Sequence, residues 1–154
     1  MAETTAHNHD HVAGWAEYAA GRIKAAGHRR SSARDEVLAV IAAQECAITA
    51  RDISSELARN GSEVGIATVY RALELLESMK LVQRVEVGQG VARFEPSMPD
   101  GDHHHHLVCE TCEELVPFED EGLERAIDRL AGKLDLKITG HDIVLHGQCS
   151  NCAN

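Results

Sequence analysis

Hydrophobic residues in the first 95 positions recur mainly with helical spacing, and shorter alternating runs follow them. The helical spacing predicts helices over Trp15–Ala26, from a cap at Ser32, from a cap at Thr49, and over about Ile66–Met79. Two alternating or β-branched runs, 81–87 and 91–94, are separated by Gly88-Gln89-Gly90, which is typical of a β-hairpin. Helices followed by a two-stranded ribbon predict a winged-helix domain over residues 15–95.

The pattern changes after residue 95. The stretch 96–102 holds two prolines and a glycine among small polar residues, a composition that predicts a hinge linker. The pattern beyond it predicts strands near 104–108 and 114–118, a helix near 120–130, and strands within 136–145. This helix is expected to bury an apolar stripe made of Leu123, Ala126, Ile127 and Leu130. The predicted fold class is α+β, with a second α/β domain over 103–154.

The composition limits the functions that the chain can have. Its 154 residues carry a net charge of −10 and only 3% aromatic residues, which argues against a general binder of polyanions or single-stranded nucleic acid. No apolar run reaches the ~18–20 residues of a membrane span, and residues 1–14 lack the character of a signal peptide. We therefore expect a cytoplasmic protein without a membrane partner and with a disordered terminus over 1–14. The histidines of that terminus, His7, His9 and His11, bind metal loosely or have no role.

Positive charge is concentrated in one segment of this acidic chain. Up to Glu95 there are 11 basic and 13 acidic residues, and beyond it 4 and 12. Between Arg22 and Arg34, however, there are five basic residues and no acid. This segment is either a solvated helix end or a surface that contacts phosphates. The candidate phosphate-binding residues are Arg29, Arg30 and Arg34.

The fourth predicted helix carries the remaining candidates for DNA binding. Its apolar face leaves Thr68, Tyr70 and Arg71 on other faces, where they can contact phosphates and base edges in a major groove. Winged helices also serve as protein-binding modules. The basic segment favours DNA, because phosphate contacts supply most of the affinity of such proteins.

Two C-x-x-C pairs are the strongest chemical signal in the chain. Cys109 with Cys112 and Cys149 with Cys152 present four thiolates, and in a cytoplasmic protein tetrahedral zinc is their usual occupant. A four-thiolate shell leaves no open position for catalysis, so the predicted site is structural. The alternative is a thioredoxin-like redox pair, but the βαβ context of that motif is absent.

Four consecutive histidines precede the first cysteine pair. Because they enter a predicted strand, His103 and His105 are expected on one face, and His104 and His106 on the other. The first pair has Glu124 and His141 as candidate partners, and Glu95 can join the second pair across the linker. An expression tag is the alternative, but a tag is normally terminal. A lone thiol, Cys46, is by default buried and inert, with metal ligation as the alternative.

Taken together, these motifs resemble the ferric uptake regulator family. The matching segments are Gly65-Ile66-Ala67-Thr68-Val69-Tyr70-Arg71-Ala72-Leu73, Ala92-Arg93-Phe94-Glu95, His103-His104-His105-His106-Leu107-Val108-Cys109-Glu110-Thr111-Cys112, and His141 ahead of Gly147-Gln148-Cys149-Ser150-Asn151-Cys152. The resemblance implies a dimeric, metal-dependent transcriptional repressor with an N-terminal winged-helix DNA-binding domain and a C-terminal α/β dimerisation domain. It also implies the roles of the metal-binding residues: structural zinc at Cys109, Cys112, Cys149 and Cys152, a second site at His103, His105, Glu124 and His141, and a sensing site at Glu95, His104 and His106.

The resemblance has two departures. Iron-type members place a histidine before the third helix, where this chain has Ala47 beside Cys46, and zinc-type members often have a cysteine where this chain has Met98 nearby. The fourth ligand of the sensing site therefore stays unassigned, with Cys46 as a candidate. Glu95 and two imidazoles suit Fe(II), Zn(II) or Mn(II) alike.

The expected function is repression of metal-homeostasis genes, in which one divalent ion holds the two domains in a pose that binds a palindromic operator. A zinc uptake regulator is an alternative within the family, and a metal storage or delivery protein is one outside it. A zinc hydrolase requires an open metal position and a general base, and the chain has no H-E-x-x-H spacing. We expect neither enzymatic activity nor a small-molecule substrate.

Overall fold

The computed structural model describes residues 9–44, 46–88, 90–97 and 104–153, with side chains from Gly14 onward. The chain divides into two compact units, Met1–Gly101 (unit 1) and Asp102–Asn154 (unit 2). Residues 98–103, which include Met98 and His103, lie outside the described residues, so the hinge over 96–102 stays a prediction, except that Pro96 is the last residue of a strand. No helix among the described residues has the length and apolar character needed to cross a membrane.

Unit 1 is built from helices and a small sheet. Its elements in chain order are α1 (His9–Ala25), α2 (Ser32–Ala42), β1 (Ile48–Thr49), α3 (Ala50–Arg59), α4 (Ile66–Ser78), β2 (Val82–Glu86) and β3 (Ala92–Pro96). Helix α1 begins at His9, so the prediction of disorder over 1–14 was wrong for residues 9–14. Histidine and aspartate do not break a helix, and a single Gly14 is tolerated because it costs only about 1 kcal/mol relative to alanine.

Polar caps fix where the next two helices begin. The side chain of Ser31, one residue before the predicted cap, accepts a hydrogen bond from the backbone N–H of Arg34 and starts α2. Thr49 caps α3 as predicted, because its hydroxyl oxygen accepts from the backbone N–H of Asp52 at 3.0 Å. These caps satisfy N–H groups that would otherwise have no partner at the helix starts.

The apolar faces of the helices form one core. Trp15 is fully buried, and its Nε1–H donates to the carbonyl oxygen of Leu81 at 2.9 Å, which joins α1 to the segment before β2. The predicted apolar face of α4 is buried in this core through Val69, Ala72, Leu73 and Leu76. The outer side chains of α4 are thereby held on a rigid frame.

The sheet of unit 1 has the order β1-β3-β2, and both pairings are antiparallel. The turn between β2 and β3 includes Gly88 and Gly90, with φ of 88° and 73°, in the region that glycine adopts readily. The predicted hairpin and winged-helix fold are confirmed. The short strand β1 was not predicted, because a two-residue strand is too short to produce an alternating pattern.

Unit 2 is a three-stranded sheet with one helix, as far as the described residues show. Its elements are β4 (His105–Cys109), β5 (Leu115–Phe118), α5 (Glu121–Leu134) and β6 (Val144–Gly147). The sheet order is β5-β4-β6, with β5 antiparallel and β6 parallel to β4. Where several strands were predicted within 136–145, only β6 forms, and it begins at Val144.

The apolar stripe of α5 is not buried in the single chain, contrary to the sequence prediction. Leu123, Ala126 and Ile127 are half-buried, and Leu130 is 52% exposed. Amphipathic spacing predicted that this face packs against something, but it does not say whether the same chain supplies the partner.

Candidate metal centres

The four cysteines of the C-x-x-C pairs meet at one end of the unit 2 sheet. Cys109 ends β4, Cys112 follows it in a turn, and the other pair comes directly after β6. Because β4 and β6 are parallel, with Cys109 opposite Gly147, the segments that leave them lie side by side. The four sulfur atoms all lie within 4.8 Å of one another.

The geometry of this cluster fits a tetrahedral zinc ion. A Zn–S distance of about 2.3 Å implies sulfurs about 3.8 Å apart in a regular tetrahedron. The Sγ atoms of Cys112 and Cys149 are 3.7 Å apart. The set is therefore suited to structural zinc, and four thiolates leave no position open for a substrate.

Ionisation of the four thiols is uneven. The backbone N–H of Cys149, followed by that of Cys112, donates to the sulfur of Cys109 and lowers its pKa to about 6. The adjacent sulfurs of Cys112 and Cys149 disfavour ionisation of Cys152 and raise its pKa to about 12. One thiolate therefore forms readily, whereas a full set of four needs a cation to balance the charge.

A second group joins β4, α5 and the loop before β6. His105 is buried, and its Nε2 lies 2.7 Å from a carboxylate oxygen of Glu124. The Nε2 of His141 lies 3.2 Å from the same carboxylate. Ligands about 2.0–2.1 Å from a shared ion stand about 2.9–3.4 Å apart. The 3.2 Å contact lies in this range, whereas the 2.7 Å contact is a hydrogen-bond distance, so the group can bind a divalent metal once His105 and Glu124 separate by a few tenths of an ångström. The fourth predicted member, His103, is outside the described residues.

The predicted sensing residues belong to both units. In unit 2, the rings of His104 and His106 are 4.8 Å apart in an edge-to-face arrangement, which agrees with the predicted alternation along the strand. In unit 1, Glu95 is buried on β3, and one of its carboxylate oxygens lies within 4.8 Å of the sulfur of Cys46. Cys46 was already a candidate for the unassigned ligand, but its place beside Glu95 was not predicted, because strand β1 was missed.

The candidate DNA-binding side chains lie on the surface of unit 1. Tyr70 and Arg71 are exposed near the start of α4, and Arg71 donates to the hydroxyl oxygen of Thr68 at 3.2 Å. Arg29 and Arg30 are exposed between α1 and α2. The half-buried Arg34 donates to the carbonyl oxygen of Arg29, and this contact connects the start of α2 to the loop before it. These side chains are thus within reach of a polyanion, although Arg34 is engaged with the backbone and Arg30 forms an exposed ion pair with Asp35.

A winged helix followed by a unit with thiol and histidine–carboxylate clusters defines a metal-responsive DNA-binding regulator. The model of the ferric uptake regulator family matches residues 25–146, and the chain belongs to that family. A ferric uptake regulation protein of Vibrio parahaemolyticus is 35% identical over 130 residues, which are 84% of this chain and 86% of that protein. The resemblance inferred from the motifs is confirmed.

Solved structures of ferric uptake regulators are similar to this chain over more than four fifths of its length. The ferric uptake regulator of Vibrio cholerae matches with a TM-score of 0.76 at 34% identity, over 84% of this chain and 98% of that one. The ferric uptake regulator of Francisella tularensis, solved with iron, matches with a TM-score of 0.73 at 25% identity, over 83% and 96% of the two chains. These matches agree with the α+β class predicted from the sequence.

Proposed function

We propose that this regulator is an Fe(II)-responsive repressor of metal-homeostasis genes that binds a palindromic operator as a homodimer. The observation that carries the proposal is the family match over residues 25–146. The relatives are named for ferric uptake, which favours iron over the zinc-regulator alternative. The cytoplasm is the proposed site of action, because its reducing conditions keep C-x-x-C pairs as thiols able to bind zinc.

Each group of donors has a distinct proposed role. Cys109, Cys112, Cys149 and Cys152 hold structural zinc, and His103, His105, Glu124 and His141 form a second metal site. Support for the first role is the spacing of the sulfurs, and for the second the convergence of two imidazoles on one carboxylate. Neither site needs a substrate, and the proposed function is regulation of transcription without enzymatic activity.

The regulatory response is proposed to come from Glu95 in unit 1 and His104 and His106 in unit 2. These three side chains hold one divalent ion, which supplies positive charge and directional bonds. Because both units bind the same ion, the hinge between them is restricted. The fraction of dimers that present both α4 helices in the pose needed for DNA binding therefore rises. A coupling of ~3 kcal/mol changes the DNA affinity about 100-fold.

Homodimer formation is supported by apolar side chains on the surface of unit 2. The large hydrophobic residues that remain exposed there are Val116, Leu130, Leu134, Leu136, Ile138 and Leu145. Such surface is common at protein interfaces. A two-fold dimer presents two α4 helices, which suits two half-sites of a palindrome.

The test measures binding to an AT-rich palindromic duplex by fluorescence anisotropy, with Fe(II), Mn(II) or Zn(II) added under anaerobic conditions. Fe(II) should raise the affinity about 100-fold, and the double variant Glu95→Ala/His104→Ala should lose this response while it stays folded. The matched control Glu86→Ala/His146→Ala removes an exposed carboxylate from the same hairpin and an exposed imidazole from unit 2. An unchanged response in the first variant contradicts the proposal. Uptake of metal without duplex binding favours storage or delivery.

A further inference from the structure

A thiol and a buried carboxylate lie side by side in unit 1. Glu95 is only 5% exposed, and it follows Phe94, which belongs to the hydrophobic core. Because side chains alternate along a strand, Glu95 faces away from that core. A buried carboxylate is stable only with hydrogen bonds, a counter-charge or a metal ion. The chemistry of its neighbours therefore decides what Glu95 can do.

Strand β1 determines which neighbour that is. Ile48 lies opposite Phe94 and Thr49 opposite Arg93, and this antiparallel register continued by one residue places Ala47 opposite Glu95. The methyl group of Ala47 cannot bind a metal. The next residue, Cys46, is half-buried in a bend, and its sulfur lies within 4.8 Å of a carboxylate oxygen of Glu95.

We propose that Cys46 is a thiolate ligand of the regulatory ion, beside Glu95. This inference rests on the proposed function, which assigns the ion to Glu95 and the two histidines of unit 2. A thiolate is a softer ligand than a carboxylate or an imidazole, so it favours Fe(II), Co(II) and Zn(II) over the harder Mn(II). Cys46 thus shifts the metal preference of the site toward the softer ions.

The first test uses Co(II) as a spectroscopic substitute for Fe(II) in protein that retains zinc in the cysteine cluster. A cobalt–thiolate bond produces a charge-transfer absorption in the near ultraviolet, which nitrogen and oxygen ligands do not. The wild type should show this band, and Cys46→Ala should show only the background from cobalt that exchanges into the cysteine cluster. Cys46→His should bind Co(II) without the band. In DNA-binding titrations, the ratio of its response to Mn(II) over its response to Fe(II) should be larger than in the wild type.

A second test needs no substitution. The tryptic peptide 35–51 contains Cys46 and no other cysteine, so alkylation of this thiol can be followed by mass spectrometry in the wild-type protein. Co(II) should protect Cys46 from iodoacetamide. His104→Ala, which removes a different proposed ligand of the same ion, should abolish the protection.

The outcomes separate this inference from the proposed function. If the wild type responds to metal in DNA binding but lacks the thiolate band and the protection of Cys46, the thiolate assignment is wrong and the regulatory site stands. If no metal changes DNA binding, and His104→Ala changes neither the cobalt band nor the protection of Cys46, the proposed function itself is wrong. The band, the protection and the loss of both in the variants together support Cys46 as a ligand.

Discussion

The Nε2 atom of His105 lies 2.7 Å from a carboxylate oxygen of Glu124, although 19 residues separate them in the sequence. The contact connects β4 to α5, and His141 approaches the same carboxylate from the loop before β6. Each imidazole can donate an N–H to one oxygen of this carboxylate. The same three groups, all directed at one point, can also bind a single divalent ion at once.

Glu124→Gln is therefore expected to weaken the second metal site. An amide is a poorer ligand than a carboxylate, and the affinity should fall at least about 10- to 100-fold, the range seen for changes to outer-shell partners of metal ligands. The measurement is metal content after dialysis against a weak chelator. Asp128→Asn, which removes one exposed carboxylate from the same helix, is the control and should keep its metal. Equal metal loss in both variants would indicate a general charge effect instead of a site.

Cys109→Ser is expected to remove zinc from the cysteine cluster and to destabilise unit 2. Structural zinc contributes on the order of 10 kcal/mol of binding energy to folding, so the midpoint of thermal unfolding should fall by more than about 10 °C. Zinc content and a thermal melt measure the two effects. Glu110→Gln, which changes an exposed side chain beside the cluster and leaves all four thiols in place, is the control and should keep both zinc and stability. Retention of stoichiometric zinc by Cys109→Ser would disprove the assignment.

The pH dependence of zinc binding should report the lowered pKa of Cys109. Zinc displaces protons from thiols, so affinity rises with pH, and the slope of log K against pH equals the number of protons released. Above its pKa of about 6, Cys109 is already a thiolate and releases none. Below pH 6 it must lose a proton, and the slope should increase by about one.

Chelator competition between pH 5 and 8 measures this slope. An ordinary cysteine pKa of about 8.5 would give no change of slope near pH 6, so a constant slope through that point contradicts the proposed hydrogen bonding. The thiol of Cys152 should stay protonated over the whole range without metal, because its pKa is raised to about 12.

Strand alternation alone was enough to sort His104, His105 and His106 between the two faces of β4. It separates His105 from its two neighbours, and the structure brings His105 to Glu124 while His104 and His106 lie together. The spacing of apolar residues likewise predicted α2 to α5 and the hairpin, because each buries or presents a continuous stripe.

What the sequence did not reveal depends on contacts between distant residues. Strand β1 exists because Ile48 pairs with Phe94, and a two-residue strand carries no pattern of its own. The exposure of Leu130 was missed for a similar reason. An apolar stripe on a helix predicts burial, but it does not specify whether the same chain or another one covers it. The start of α1 at His9 was missed because polar residues near a terminus suit both helix and disorder.

Arg30→Ala is expected to weaken DNA binding without changing sequence preference. Arg30 is exposed, and its only described ion pair is the exposed contact with Asp35 at 3.3 Å, which contributes little. Loss of one phosphate contact should reduce the slope of log K against log salt by about 0.9. Anisotropy titrations at several salt concentrations measure it on specific and unrelated duplexes. Arg125→Ala in α5 is the control, and an equal change in both variants would exclude a local contact.

Leu130→Glu is expected to prevent dimer formation. Leu130 is 52% exposed in the single chain, so a charge there has little effect on the fold of one protomer. In a dimer that covers the stripe, the unpaired carboxylate would cost roughly 3 kcal/mol or more, which weakens association at least about 100-fold. Sedimentation equilibrium of the zinc-loaded protein measures the association. Val91→Glu changes an apolar residue of similar exposure in unit 1 and should leave the dimer intact. A dimer of Leu130→Glu as stable as that of the control would mean that another surface joins the protomers.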